Sequence, residues 1–197
     1  MNNIIKKNVF YTPVWLIKGD EEILEIIDEL KGGCYKLQEK YESVQHSNIG
    51  GYQSKVFDYK EFHPKGMRYM DQILYSLCEE RYVINEWMIS NIMWWFNINK
   101  MGDLNMHHIH IGSDISMVLY LTDGELVLQD TNIAYCNSKL NINPTIVVEA
   151  KKGDIAVFPS NTQHGVLPHE GEKDRMSISF DICLEGAKRS LLKRPFE

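Results

Sequence analysis

The sequence predicts an α+β fold that is mostly β, with helices in the first half of the chain and short strands in the second. Two observations carry this. Between about positions 20 and 77 apolar residues recur at helical spacing, and from about Trp87 they alternate with polar residues in short runs. Short strands punctuated by turn residues indicate a β-sandwich or barrel. Helices confined to one half then cover one of its sheets.

In chain order, NVFYTPVWLIK (Asn8 to Lys18) is rich in β-branched and aromatic residues and reads as extended, with Pro13 making it an edge or bent strand. Asp20 can cap a helix with Glu21 and Glu22 in its first turn and an apolar stripe of Ile23, Ile26, Ile27 and Leu30. Gly32-Gly33 is expected to end or bend that helix, with a second helical piece reaching about Tyr41. HSNIGGYQS (His46 to Ser54) has the composition of a tight turn. From Pro64, the residues Met67, Met70, Ile73, Leu74 and Leu77 form another amphipathic stripe, which reads as core packing.

The strand half follows. MWWFNIN (Met93 to Asn99) puts Trp94, Phe96 and Ile98 on one face and Trp95, Asn97 and Asn99 on the other. Then come ISMVLYL (Ile115 to Leu121), ELVLQD (Glu125 to Asp130), TIVVEA (Thr145 to Ala150), DIAVFP (Asp154 to Pro159) and MSISFDICL (Met176 to Leu184), separated by Gly124, the Asn141 to Pro144 stretch and Gly153.

At 197 residues the chain suits one domain with a substantial core. A formal charge of -6 argues against broad nucleic-acid binding, and the basic run KRSLLKR (Lys188 to Arg194) reads as a solvated end. The cysteines at 34, 78, 136 and 183 form no C-x-x-C, which points to a reducing cytosol rather than a disulfide framework. Neither a membrane span nor a signal peptide is indicated.

The chemistry concentrates in GDLNMHHIHI (Gly102 to Ile111). On a strand, residues two apart share a face, so His108 and His110 can converge on one point while His107 faces away. Two neutral imidazoles on one face make half of a metal site. An exposed His-x-His pair is the alternative. His164, after a strand and a Pro-Ser-Asn turn, reads as a loop histidine that can supply a third ligand; His169 reads as a surface residue. Arg175 opens the last strand, where Arg175, Ser177, Ser179 and Asp181 share one face. The opposite, apolar face is expected to pack on the helices, so the polar face points into a cavity. There Arg175 either forks onto an anion, with the Ser177 hydroxyl beside it, or pairs with a protein carboxylate such as Asp181 or Asp130.

The order His-x-His, a distant His, then Arg-x-Ser resembles the iron(II)- and 2-oxoglutarate-dependent oxygenases, and more closely those found in cyanophages. The pieces that carry this are VFYTPVW, SNIGGYQS, Trp95-x-Asn97, Gly102-x-x-Asn105-x-x-His108-x-His110, the strand ending Tyr120-Leu121, Phe158-Pro-Ser, His164, and Arg175-x-Ser177-x-Ser179-Phe180. They run from about Phe10 to Ile182. The resemblance implies a double-stranded β-helix (a jelly-roll, cupin-like barrel) with the helices packed on one sheet. One domain over 1–197 is expected, its helical support mainly at 20–85 and its barrel at about 87–185. The resemblance further implies iron(II) at His108, His110 and His164, 2-oxoglutarate held by Arg175 and Ser177, and dioxygen as oxidant. Tyr120 and Asn97 are further candidates for the 2-oxoglutarate pocket. The implied activity is hydroxylation of an unidentified small molecule or peptidyl side chain, in the cytoplasm (that of the host, if phage-encoded).

One departure stands out. The wider superfamily has a carboxylate where this chain has His110, so the site carries one negative charge fewer and zinc or copper become contenders. Asp114 is the nearest carboxylate in sequence that could take its place. Two rival readings follow. Gly102-x5-His108-x-His110 and Gly153-x5-Pro159-x-Asn161-x-x-His164 also resemble degenerate cupin motifs, which would make a three-histidine metalloenzyme without 2-oxoglutarate, though the cupin glutamate is missing. The other rival is a non-catalytic binding protein on the same barrel.

Overall fold

Asp20 opens helix α1 (Glu21–Lys40) of the computed structural model, which describes residues 12–79, 87–129 and 145–186. Its carboxylate accepts a hydrogen bond from the Ile23 N–H at 3.2 Å, satisfying one of the helix's unpaired first-turn donors. Ile23, Ile26, Ile27, Leu30 and Cys34 form the buried stripe. Contrary to expectation, Gly32-Gly33 does not end the helix: α1 runs on to Lys40, and the Tyr41 N–H bonds the Leu37 carbonyl. Two helical glycines cost about 2 kcal/mol together. Burial of Cys34 and packing of Leu37 beyond them continue the apolar stripe and offset that cost. Helix α2 (Pro64–Glu79) starts on a proline, whose missing N–H costs nothing at that position, and buries Tyr69, Met70, Leu74 and Leu77.

The strands are β1 (Trp15–Ile17), β2 (Asn48–Ile49), β3 (Tyr52–Gln53), β4 (Phe57–Asp58), β5 (Trp87–Asn99), β6 (Leu104–His108), β7 (Ile115–Tyr120), β8 (Gly124–Gln129), β9 (Thr145–Ala150), β10 (Ile155–Pro159), β11 (Gln163–Val166) and β12 (Arg175–Gly186). They form two antiparallel sheets. The larger runs β1-β10-β7-β12-β5-β3 with β4 also on β5, and the smaller runs β2-β6-β11-β8-β9. From β5 to β8, and again from β9 to β12, each strand lies in the opposite sheet to the one before it. This is the double-stranded β-helix with helices on one sheet.

Two apolar clusters follow from the alternation. Trp94, Phe96 and Ile98 of β5, Met117 and Leu119 of β7, and Met176, Ile178, Phe180 and Ile182 of β12 pack with α1 and α2 on the outside of the larger sheet. Between the sheets, Val118, Tyr120, Ala156 and Phe158 meet Leu126, Leu128, Val148 and Ala150. Toward one end that inner layer gives way to polar residues, and there the cavity opens.

The His46 to Ser54 turn links the two sheets, since β2 belongs to the smaller and β3 to the larger. Gly50 and Gly51 take φ of +67° and +58°, a region that suits glycine, and a Cβ on Gly50 would run into the Asp103 carboxylate. Cys34 and Cys183 are free. The expectations for residues 8–11, Cys136, Asp130, the Asn141 to Pro144 turn and KRSLLKR fall outside the described residues. Among the described residues no helix is long and apolar enough to cross a membrane.

Candidate metal centre and anion pocket

Strand register assembles the site. On the larger sheet, β12 lies between β5 and β7, so Ser177 is flanked by Asn97 on one side and Tyr120 on the other. Four residues further along β12, Asp181 stands opposite Ser116 of β7. On the smaller sheet, His164 of β11 is the direct partner of His108 of β6. The inward faces of the two sheets therefore put the imidazoles and Asp181 toward one end of a cavity of about 450 Å³, and Arg175, Ser177 and Asn97 toward the other.

His108, His110 and His164 come together, with one ligand nitrogen from each within 4.8 Å of the others. Two details differ from the sequence reading. β6 ends at His108, so His110 reaches the site from the following loop and not as a second strand residue. His164 is held in a strand rather than on a loop, and is 4% exposed. Gly165 lets β11 run this close to β6, since a Cβ there would strike the His107 ring and the Asn105 carbonyl. Asn105 is itself bridged to Asn99 of β5 (3.3 Å) and to Ser47 (3.2 Å), which ties the strand bearing His108 to the other sheet.

Each imidazole has its Nδ1 occupied. His108 Nδ1 is 2.8 Å from the Met106 carbonyl, and His164 Nδ1 is 2.8 Å from the Thr162 carbonyl. A carbonyl can only accept, so both rings carry their proton on Nδ1 and leave a lone pair on Nε2. His110 Nδ1 lies 2.6 Å from Asp181 Oδ1 and 3.0 Å from the Ser116 hydroxyl, so this ring too carries a proton on Nδ1. His110 Nε2 and His108 Nε2 are 3.0 Å apart, a contact that needs a proton or a metal ion between the two nitrogens. Two imidazole nitrogens bound at right angles to one ion, each at about 2.1 Å, lie about 3.0 Å apart, so the donor set fits a metal. Burial lowers the pKa of His108 and takes that of His164 down to about 3, which keeps both rings neutral and able to ligate. Trp95 and Phe158 close the sides, their rings 5.2 Å from His110 and 4.7 Å from His164.

Arg175 is 3% exposed, and among the described residues no carboxylate lies within ion-pair distance of it. The expected alternative of a pair with Asp181 is thus overturned. Six residues along one strand span about 20 Å, too far for an ion pair. The Arg175 Nη2 donates to the Glu125 carbonyl at 3.1 Å, while its Nε has no hydrogen-bond partner among the described residues. The Tyr120 hydroxyl and Asn97 Oδ1 are likewise buried without a hydrogen-bond partner among the described residues, and the Tyr120 ring centroid is 5.6 Å from the guanidinium carbon. Burial raises the Tyr120 pKa to about 12, so its hydroxyl remains a proton donor. A buried guanidinium with an unused donor and a free phenol beside it fits an incoming carboxylate.

Asp114 does not approach the imidazoles: its carboxylate accepts from the Leu184 N–H at 2.8 Å. His169 is away from the cluster, with Nε2 on the Lys173 carbonyl. The residues that sequence reasoning missed at the metal end are Ser116 and, in its observed role, Asp181. The signal was present for Asp181, which shares the inward face of β12 with Arg175.

Comparison with known proteins agrees with this architecture. The model of the family described as "Putative 2OG-Fe(II) oxygenase" matches residues 93–181, the stretch that carries all three histidines and Arg175. A prolyl-4-hydroxylase from Pseudomonas putida superposes with a TM-score of 0.62 at 16% identity, over 88% of this chain and 93% of its own. A viral collagen prolyl hydroxylase from Paramecium Bursaria Chlorella virus-1, solved with 2-oxoglutarate, gives 0.56 at 16% identity over 86% and 94%. HygX from Streptomyces hygroscopicus, with nickel, 2-oxoglutarate and hygromycin B bound, gives 0.53 at 15% identity over 87% and 83%. No curated protein matches the chain.

Proposed function

We propose that the protein is an iron(II)- and 2-oxoglutarate-dependent dioxygenase, one domain over its whole length, that hydroxylates an unidentified substrate with release of succinate and carbon dioxide. The observation that carries this reading is the pairing of features in one cavity. His108, His110 and His164 stand together at one end, and at the other is a buried guanidinium that has no carboxylate partner among the described residues. The match of 93–181 to an oxygenase family supports it, as do neighbours solved with 2-oxoglutarate and a metal.

In this reading His108, His110 and His164 hold iron, and Arg175 with Ser177 binds the far carboxylate of 2-oxoglutarate. Iron(II), 2-oxoglutarate and dioxygen together supply the two-electron oxidation of a substrate C–H bond. The chain's own part is positioning and exclusion. The carbonyls of Met106 and Thr162 fix the ring tautomers. Tyr120 and Asn97 flank the anion pocket, and Val118, Leu126 and Phe158 keep the interior dry. A cupin-type enzyme without 2-oxoglutarate gives Arg175 nothing to bind, which ranks that reading second. The substrate class, a small molecule or a peptidyl side chain, follows the range of the neighbours, which include prolyl hydroxylases and an antibiotic-bound protein. The cyanophage likeness and a cytoplasmic location belong to the same proposal.

The test is incubation with iron(II), ascorbate and labelled 2-oxoglutarate. Succinate formed above the level given by His164→Ala protein supports the reading. Failure of 2-oxoglutarate to raise the melting temperature of the metal-loaded protein overturns it.

A further inference from the structure

We infer that Asp181 is a positioning residue of the metal centre, which with His110 acts as a single anionic ligand. It restores, one shell behind the metal, the negative charge that a His-x-His pair lacks. The inference rests on the reading of the three histidines as metal ligands.

The three imidazoles are not held alike. His108 and His164 lean on neutral carbonyls, whereas His110 leans on a carboxylate at 2.6 Å. The same oxygen, Asp181 Oδ1, is 2.9 Å from the Ser116 hydroxyl, which is also 3.0 Å from the Ser160 hydroxyl. Asp181 is buried, and among the described residues no lysine or arginine pairs with it; His110 alone lies within ion-pair distance. A buried carboxylate needs positive charge beside it, and among the described residues His110 is its one route to it. A divalent metal on the far nitrogen of His110 supplies that charge through the ring, in the place a second ring proton would otherwise take.

The charge count gives the same result. A facial triad of two histidines and a carboxylate leaves a divalent ion with net charge +1, and three neutral imidazoles leave +2. Adding Asp181 returns the assembly to +1. The carboxylate is rigidly placed for this, because Asp181 and Ser116 are direct partners on two central strands of the larger sheet. Asp114 is not in the imidazole cluster; its Oδ2 accepts from the Leu184 N–H.

Cobalt(II) titration of the metal-free full-length protein, followed by its visible absorption and by competition with a chelator, tests the idea. Asp181→Asn keeps an oxygen that can accept from His110 Nδ1 and removes only the charge. Loss of carboxylate support behind a ligating histidine weakens metal binding about 10- to 100-fold, and that is the expected change. Ser116→Ala should shift it by less than a few-fold. Cobalt affinity in Asp181→Asn within twofold of wild type overturns the role of Asp181 and leaves the metal reading standing. Failure of the wild-type protein to take up cobalt overturns both.

A measurement on the wild-type protein guards against a variant that does not fold. In the zinc-loaded protein one histidine Nδ1–H proton should resonate well downfield of the other two, marking the bond to a carboxylate. Three equivalent Nδ1–H signals would remove the basis for the inference.

Discussion

Arg175 and Asp181 stand on the same inward face of one strand, six residues apart, and serve opposite ends of the cavity. Asp181 meets His110, while among the described residues Arg175 has a carbonyl for one nitrogen and no partner for its Nε. The chain therefore maintains two buried charges about 20 Å apart that do not neutralise each other.

Replacing Arg175 by Met separates binding from stability. The ligand-free protein should become more stable, because a buried guanidinium with no carboxylate partner among the described residues is removed. Binding of 2-oxoglutarate to the metal-loaded protein should weaken at least about 30-fold, the loss expected when one partner of a buried charge pair is truncated. Urea denaturation and calorimetric titration read the two effects. A fall in ligand-free stability with unchanged 2-oxoglutarate affinity would contradict both.

Gly124 leaves room for the guanidinium. A Cβ there would lie 2.8 Å from Arg175 Nε and 3.4 Å from the Tyr120 ring. Gly124→Ala should therefore push Arg175 from its place and weaken 2-oxoglutarate about tenfold. Cobalt affinity should stay at the wild-type value, since the imidazoles are at the other end. Equal losses for both ligands would show that the substitution acts on the whole barrel.

His164→Ala should abolish the stabilisation that metal gives. For the wild-type protein, metal at about 100 times its dissociation constant adds about 2.7 kcal/mol to the unfolding free energy. The variant should show no metal-dependent rise in melting temperature. A wild-type-sized rise would exclude His164 as a ligand.

The metal-free protein should lose stability as the pH falls below about 6.5. The folded-state pKa of His164 is about 3, well below that of the unfolded chain, so over this interval the unfolded state binds the proton and the folded state does not. Stability then falls by about 1.4 kcal/mol per pH unit, or about 2 kcal/mol between pH 6.5 and 5. The lowered pKa of His108 acts in the same direction. Urea denaturation at the two pH values should show this slope, and His164→Gln should flatten it. A slope unaffected by the substitution would assign the effect to other groups.

Much of this architecture is legible in the sequence because strand alternation is a strict code. The faces of β5 and β12 follow from parity alone, and with them the inward direction of Asn97, Arg175, Ser177 and Asp181. The stripe of α1 is equally plain. Its length is not, because the glycine pair is a local signal and the packing of Cys34 and Leu37 that overrides it is tertiary. The histidines show the same limit. Their convergence is predicted, but the end of β6 after His108 and the placing of His164 in a strand depend on pairing between distant segments. The role of Asp181 depends on the path of the loop carrying His110. Strand length alone could have removed it as a partner for Arg175.

The pairing of His164 with His108 has a consequence for how the protein is made. The segments bearing them meet across a ladder only a few residues long, interrupted by a register shift between His164 and Val166. A slip of one residue turns every side chain of a strand to the opposite face. In a slipped barrel His164 would point away from His108 and His110, and the ion would find two ligands instead of three. An ion that binds only the correct alignment lowers the free energy of that alignment alone. If the three histidines hold a metal as proposed, its uptake would therefore favour the correctly closed barrel, and misaligned chains would be the weaker binders.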